Sequence, residues 1–263
     1  MSETPPEIDA QILERDICSF ASDEGLGSIY ERIVLRRFLA RLAKELDLGS
    51  VLEYGASISK GYDNLAWADR CEVTVYDPTA TEIESHWRPN RKLKLVDKCS
   101  GVFDLVWSFA QVQMRPERLA EMVQHTRCYV LVFVPNVLNW GTPFHWSYHA
   151  LTRVKCHHAE QGGLLVRSRA GLESLVRSHG LRVARSGYVD MPYLPDIGFS
   201  IRELKGVLGI PVRDAAVVGA PPSSPQSTMR KVEWLMGWER RALPQWVQSV
   251  LAHHCWVLGE KNG

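Results

Sequence analysis

The sequence Val51-Leu52-Glu53-Tyr54-Gly55 decides the fold class of this 263-residue chain. It predicts a buried strand that opens into a turn reaching Gly61, and the next apolar run ends at Asp77. A strand that leads into a glycine-containing turn, with a carboxylate after the following strand, is how an α/β sheet holds a nucleoside-bearing cofactor. We therefore expect a cofactor site at this turn.

Outward from this stretch, apolar strand-like runs alternate with runs of helical spacing. The predicted strands are Ser50–Tyr54, Glu72–Tyr76, Leu93–Val96, Phe103–Trp107, Tyr129–Val134, Leu181–Val189 and about His253–Gly259. Helices are predicted from Ser28 to Leu46, from Pro116 through Met122, from Ala170 to His179, and on both sides of Pro244. This alternation predicts an α/β protein with a mainly parallel seven-stranded sheet between two layers of helices.

Composition excludes several classes of protein. Lysine and arginine total 31 against 30 aspartate and glutamate, so the formal net charge of +1 provides no field that would attract nucleic acid or an anionic membrane. No apolar run approaches the ~20 residues that span a bilayer. The N-terminal sequence Met1-Ser2-Glu3-Thr4-Pro5-Pro6 does not resemble a secretory signal.

The six cysteines are scattered, and no two form a Cys-x-x-Cys pair. This spacing predicts a reduced protein without structural disulfides, and we expect a cytoplasmic location. Residues 1–27 are predicted to form an N-terminal arm. Residues 28–263 are predicted to form one domain, with insertions at about 137–168 and 190–250 on the side of a second substrate.

The order of elements resembles the class I S-adenosylmethionine-dependent methyltransferases from about Val34 to Lys261. The resemblance is carried by the strand and turn ending at Gly55 and by the acid of Val75-Tyr76-Asp77. It is also carried by the run Phe103-Asp104-Leu105-Val106-Trp107-Ser108 and by the closing run Cys255-Trp256-Val257-Leu258-Gly259-Glu260-Lys261. In that family the last strand inserts antiparallel beside its neighbour, within a Rossmann-like three-layer sandwich.

The resemblance implies S-adenosylmethionine as the cofactor. Gly55 would let the backbone approach it, and Asp77 would accept both ribose hydroxyls, while Asp97 would bind the adenine amino group. The implied cofactor-binding residues are Glu53, Gly55, Ala56, Ser57, Gly61, Asp77, Asp97, Ser108 and Phe109. Independently of the family, Asp77-Pro78 also suits a strand end and helix cap.

The segment after the fifth predicted strand is rich in histidine, tryptophan and tyrosine, and we expect it to contact the acceptor. The predicted acceptor-binding residues are Asn136, Trp140 and Tyr148. If the segment is helical, His145 and His149 lie one turn apart on one face, where a histidine could accept a proton from a hydroxyl. We predict no metal site, because this pair lacks the intervening glutamate of a zinc-hydrolase helix.

The sequence favours a small-molecule acceptor. Ser108-Phe109-Ala110-Gln111 stands where enzymes that methylate exocyclic amines of DNA carry Asn-Pro-Pro-aromatic. Two alternatives stay open. Ser57 and Ser59 replace glycines that are common in the family, which suits a non-catalytic binding or assembly module with the same fold. A strand, a glycine turn and Asp77 also serve nicotinamide-dependent oxidoreductases, although Gly-x-Gly-x-x-Gly is absent.

Overall fold

A computed structural model describes residues 26–55, 67, 70–76, 93–152, 164–191, 225–239 and 243–261. Its strands are β1 (Ser50–Tyr54), β2 (Glu72–Tyr76), β3 (Leu93–Val96), β4 (Phe103–Phe109), β5 (Thr126–Pro135), β6 (Leu181–Val189) and β7 (His254–Lys261). They form one seven-stranded sheet in the order β3-β2-β1-β4-β5-β7-β6. β7 is antiparallel to β5 and β6, and the pairs from β3 to β5 are parallel. The predicted fold class, including the antiparallel last strand, is confirmed.

The helices lie before, between and after these strands. They are α1 (Leu26–Glu45), α2 (Arg118–Gln124), α3 (Thr142–Thr152), α4 (Arg169–Ser178), α5 (Pro225–Glu239) and α6 (Gln245–Leu251). A short 3₁₀ helix spans Leu164–Arg167. Within the described ranges, no helix combines the length and the apolar character needed to cross a membrane.

Two apolar cores cover the two faces of the sheet. Successive strand residues point to opposite faces, so β1 contributes Val51 to one core and Leu52 to the other. Side chains of α1 and α5 complete the first core, and those of α2 and α4 complete the second. β5 lies inside the sheet between β4 and β7, and all of its residues from 130 to 134 are buried, as the sequence predicts for a strand covered on both faces.

Specific contacts fix the helices on these faces. Arg37 of α1 donates to a carboxylate oxygen of Glu233 on α5 at 2.6 Å. α4 begins where the side chain of Ser168 accepts a hydrogen bond from the amide of Gly171. α4 approaches β7 so closely that a Cβ at Gly259 would lie 2.8 Å from Val176, so glycine is required at this position.

Some element boundaries differ from the predicted ones. β4 continues through Ser108 and Phe109, because these residues pair with β5. α2 begins at Arg118 and not at Pro116: the amides of Arg118 and Leu119 donate three residues back, which closes a tight turn before the helix. α1 begins at Leu26, two residues before the predicted start.

Candidate site at the carboxyl edge of the sheet

Strand direction brings distant parts of the chain to one edge of the sheet. β1, β4, β5 and β6 all end at this edge, and the antiparallel β7 begins there. In open α/β sheets, ligands bind outside this carboxyl edge. Backbone strain is also found here: Ala110 follows β4 with φ 52° and Asp190 follows β6 with φ 62°. Such conformations are costly for residues other than glycine and often accompany functional sites.

Gly55 ends β1 in a conformation that favours glycine. Its φ is 86°, and its amide donates to the carbonyl of Tyr76 at 2.7 Å. A Cβ at Gly55 would lie 2.6 Å from Cγ of Gln111. The space beside Gly55 is therefore filled by the Gln111 side chain, so two features require glycine here: positive φ and close packing.

A buried arginine holds Gln111 in this place. The guanidinium of Arg118 donates to Oε1 of Gln111, and both residues are buried. In the part of the chain that the structure describes, Arg118 forms no salt bridge within 4.0 Å. The positive charge of Arg118 over β1 is therefore hydrogen-bonded to the neutral side-chain amide of Gln111.

Two tyrosines border the same region. The ring of Tyr54 packs edge-on against Tyr76, with centroids 5.3 Å apart, and its hydroxyl donates to the carboxylate of Glu121 on α2. Burial, together with this hydrogen bond and the charge of Glu121, raises the pKa of Tyr54. Tyr54 therefore stays neutral and acts as a hydrogen-bond donor.

The predicted cofactor residues that the structure describes take up different positions. Glu53 is fully buried in β1, and Asp97 is exposed directly after β3. Ser108 is fully buried in β4, and its hydroxyl has no hydrogen-bond partner in the described ranges. Phe109 ends β4 and packs against His254, with ring centroids 4.8 Å apart.

Four predicted cofactor residues lie outside the described residues. They are Ala56, Ser57 and Gly61 of the first turn and Asp77 after β2. Ser59 of the same turn also lies outside them. The cofactor roles of all these residues therefore stay predictions.

Asn136 and Asn139 anchor the loop after β5. The side-chain amide of Asn136 donates to the carbonyls of Ser249 and Ala252, at 2.8 and 2.9 Å. That of Asn139 donates to Leu251 and Ala252. These bonds fasten the loop to the end of α6 and give Asn136 a structural role, and its predicted contact with the acceptor is not tested.

The segment with the predicted histidine pair is helical. His145 and His149 both lie in α3, one turn apart, and His145 is buried. The side chains of Tyr148 and His149 are outside the described part of the chain. Trp140 lies before the helix, 38% exposed, with its ring edge-on to the exposed Phe144. The proton-accepting and acceptor-binding roles stay predictions.

A charged cluster, which we call the edge cluster, lies at the other end of the same edge. It consists of Glu31 on α1, Asp190 after β6 and His254 at the start of β7, and ligand atoms of all three lie within 4.8 Å of one another. Nδ1 of His254 is 3.2 Å from Oδ2 of Asp190. Nδ1 of the neighbouring His253 is 3.3 Å from the same oxygen.

Contacts within and beside the edge cluster change the pKa values of Asp190 and His254. Burial alone would raise the pKa of Asp190, but the charges and hydrogen bonds of His253 and His254 hold it well below its usual range. Burial alone would lower the pKa of His254, but the hydrogen bond to Asp190 and the charges of Glu31 and Asp190 raise it. The cluster therefore favours a positive charge at its centre.

Sequence reasoning missed the edge cluster, although signals were present. Asp190 directly follows a predicted strand, and His254 lies at the start of a strand predicted to run antiparallel beside its neighbour. Those two positions meet at the same edge of a sheet. The histidines predicted as catalytic, His145 and His149, lie in the predicted insertion and do not belong to the edge cluster.

Comparison with known proteins adds to this geometry. No protein-family model matches the sequence, and a search of curated proteins finds no match. Among solved structures, a putative methyltransferase from Haloferax volcanii, in complex with the Trm112 methyltransferase activator, has a TM-score of 0.51 and 14% identity. The match covers 95% of this chain and 97% of that one.

Two further structures are similar over much of their length. A SAM-dependent methyltransferase from Archaeoglobus fulgidus has a TM-score of 0.46 and 12% identity, covering 88% of this chain and 94% of that chain. The 1,6-didemethyltoxoflavin-N1-methyltransferase of Burkholderia thailandensis has a TM-score of 0.48 and 12% identity, and the match covers 98% of this chain and 92% of that chain. The strand order and the Haloferax structure together show that the chain has the class I methyltransferase fold.

Proposed function

We propose that the protein transfers a methyl group from S-adenosylmethionine to a small-molecule acceptor. The observation that carries this proposal is the sheet order β3-β2-β1-β4-β5-β7-β6 with antiparallel β7, in which β1 ends at Gly55 with φ 86°. The family resemblance implies that the glycine after β1 lies close to the cofactor. The methyl donor is chemically activated, so alignment of acceptor and methyl group supplies much of the rate.

We infer a position for each substrate from the predicted site residues. The cofactor would lie over β1 and β2, near Gly55 and the predicted ribose ligand Asp77. The acceptor would lie beside the predicted acceptor-binding residues Asn136 and Trp140, which follow β5, and Tyr148 of α3. His145 of α3 is the proposed proton acceptor for a hydroxyl substrate, and it is buried in the structure.

A titration tests cofactor binding. We expect heat on adding S-adenosylmethionine or S-adenosylhomocysteine, with a dissociation constant of about 100 µM or tighter. Asp77→Asn should weaken binding about ten-fold or more, because it removes the charge from an acceptor of two ribose hydroxyl bonds. Asp47→Asn is the matched control, because Asp47 is exposed between α1 and β1, at the opposite edge.

The titration has two outcomes that would reject the assignment. Absence of heat with either ligand at concentrations that detect ~100 µM affinity would reject the cofactor. Binding of reduced nicotinamide dinucleotide, without binding of S-adenosylhomocysteine, would reject it in favour of an oxidoreductase. Equal affinities of the wild type and the Asp77→Asn variant would reject the role of Asp77.

A second candidate is a non-catalytic binding module, and Gln111 is the observation that favours it. Its side chain packs against Gly55 and is bonded to the buried Arg118. A side chain held there would compete with a ligand for the space beside Gly55. Incubation with methyl-labelled cofactor and fractionated small-molecule extracts distinguishes the two candidates. Labelled product supports methyl transfer, and cofactor binding without product from any fraction supports the binding module.

A further inference from the structure

We propose that Glu31, Asp190 and His254 bind a divalent first-row transition metal ion. Ligand atoms of the three residues lie within 4.8 Å of one another, although the residues come from α1, the end of β6 and the start of β7. Ligands that are about 2.0 to 2.2 Å from a shared metal lie about 3 to 3.5 Å apart. The separation of 3.2 Å between Nδ1 of His254 and Oδ2 of Asp190 is already within this range.

The donor set selects the class of metal. Imidazole nitrogen with carboxylate oxygen suits Zn²⁺, Mn²⁺ or Fe²⁺, whereas Mg²⁺ and Ca²⁺ prefer ligand sets made of oxygen alone. Three protein ligands leave at least one coordination position for water or an oxygen of a bound molecule. Glu31 is half-buried on its helix, and its ligand atom lies within 4.8 Å of those of Asp190 and His254.

Contacts from outside the site hold Asp190 and His254 in place. Nδ1 of His253 lies 3.3 Å from the same Asp190 oxygen, and the amide of His253 donates to the Asp190 carbonyl at 2.8 Å. The backbone carbonyl of His253 in turn accepts a hydrogen bond from the backbone amide of Asn136 at 2.7 Å. Such outer contacts orient metal ligands and raise affinity. His253 is therefore assigned as a positioning residue.

The burial of carboxylates at this site favours the binding of a cation. Asp190 and His254 are buried and Glu31 is half-buried, so two carboxylates lose much of their solvation beside the imidazoles of His254 and His253. Removing carboxylates from water costs several kcal/mol per ion in effective terms unless a positive charge compensates them. A divalent ion compensates both carboxylates at once. A protonated His254 paired with the carboxylates, without a metal ion, would also compensate their charge, and the experiment must exclude this alternative.

The metal site does not depend on the proposed methyl transfer, and its test needs no cofactor. The full-length protein is stripped with a chelator, dialysed, and titrated with ZnCl₂ and with MnCl₂ while heat is recorded. Mass spectrometry of the dialysed complex gives the metal content per chain. We expect one ion per chain. The melting temperature of the wild type should rise with the added metal, because the ion binds only the folded state.

Substitutions identify the ligands. Glu31→Gln and His254→Gln should each weaken binding by at least about ten-fold, and His253→Gln by about ten-fold through loss of orientation. His179→Ala is the matched control, because His179 follows α4 at the opposite edge of the sheet, with Nδ1 2.9 Å from the Leu175 carbonyl. It should bind like the wild type. Circular dichroism of each stripped variant checks that it is folded.

Two results would overturn the proposal. One is the absence of metal uptake by the folded wild type with either salt, which would leave the histidinium cluster as the explanation. The other is uptake that Glu31→Gln and His254→Gln leave unchanged, which would identify an adventitious ion elsewhere. Neither result bears on S-adenosylmethionine binding, so failure of the metal site and failure of the proposed function are distinguishable.

Discussion

The two ends of the carboxyl edge are built in opposite ways. Over β1, the groups beside Gly55 are a neutral amide, Gln111, and the arginine that donates to it. Over β6 and β7, the groups are carboxylates and imidazoles gathered around Asp190. The first arrangement is shaped mainly by packing and the second mainly by charge. One edge of the sheet thus carries a tightly packed region over β1 and a charged region over β6 and β7.

The strongest test of the charged end is Asp190→Asn. It removes a buried charge that faces two imidazoles, and we expect the free energy of unfolding at pH 7 to fall by about 3 kcal/mol. Urea denaturation measures the change. Asp97→Asn is the control, because Asp97 is exposed, and it should change stability by less than about 0.5 kcal/mol. A loss below about 1 kcal/mol for Asp190→Asn would show that charge does not organise this end.

The packed end is tested by Gly55→Ala. The positive φ of 86° alone costs an alanine about 1 to 2 kcal/mol, and contact with Gln111 adds a steric cost. We expect a total loss of about 2 to 3 kcal/mol in the same denaturation experiment. The double variant with Gln111→Ala should recover the steric part only. Additive effects of the two substitutions would contradict the packing explanation.

Asp104, at the opposite edge of the sheet, is a hydrogen-bonded carboxylate with which the charged end can be compared. Burial alone would raise its pKa, but the Gly49 and Ser50 amides, the Ser50 hydroxyl and Arg127 together lower it. This stabilisation is present above the unfolded pKa of about 3.9 and is lost as pH falls through the lower folded pKa. Asp104→Asn should therefore cost about 1 to 2 kcal/mol at pH 7.

The difference between wild type and Asp104→Asn should disappear in acid. Below the folded pKa, the carboxyl is protonated in the folded and unfolded states, so the charge contributes nothing to stability. Urea midpoints at pH 7, 5, 4 and 3 follow the change. A difference that stays constant over this range would show that the amide contacts act without the charge.

The smallest expected effect is on ligand affinity at the packed end. If Gln111 must move before S-adenosylmethionine binds, Gln111→Ala should raise affinity about two- to five-fold, equivalent to less than about 1 kcal/mol. Gln124→Ala is the control, because Gln124 is exposed at the end of α2. Weaker binding by Gln111→Ala would instead identify Gln111 as a ligand of the cofactor.

Local pattern predicted most of the sheet. The strands that end at Tyr54, Tyr76 and Val96 have the predicted bounds, because strand formation follows from runs of apolar and β-branched residues. Strand ends that depend on hydrogen bonding to a neighbouring strand were predicted less well. β4 reaches Phe109 because β5 provides hydrogen-bond partners there, which the β4 sequence alone does not show.

The candidate site was predicted unevenly. Gly55 was identified from its place after β1, but Gln111 was not identified as its neighbour. The edge cluster was not predicted, because Asp190 and His254 are 64 residues apart and Glu31 lies on the first described helix. Contacts over such separations depend on how strands and helices are placed in three dimensions.

The class of the fold, the order of strands and helices along the chain, and the resemblance to methyltransferases could all be read from the sequence. These properties follow from periodicity and turn residues, which act over a few neighbouring positions. The packing of Gln111 on Gly55 and the meeting of Glu31, Asp190 and His254 became visible only in the three-dimensional structure. The physical reason is that burial and charge pairing act between groups close in space, and strand direction and order decide which groups these are.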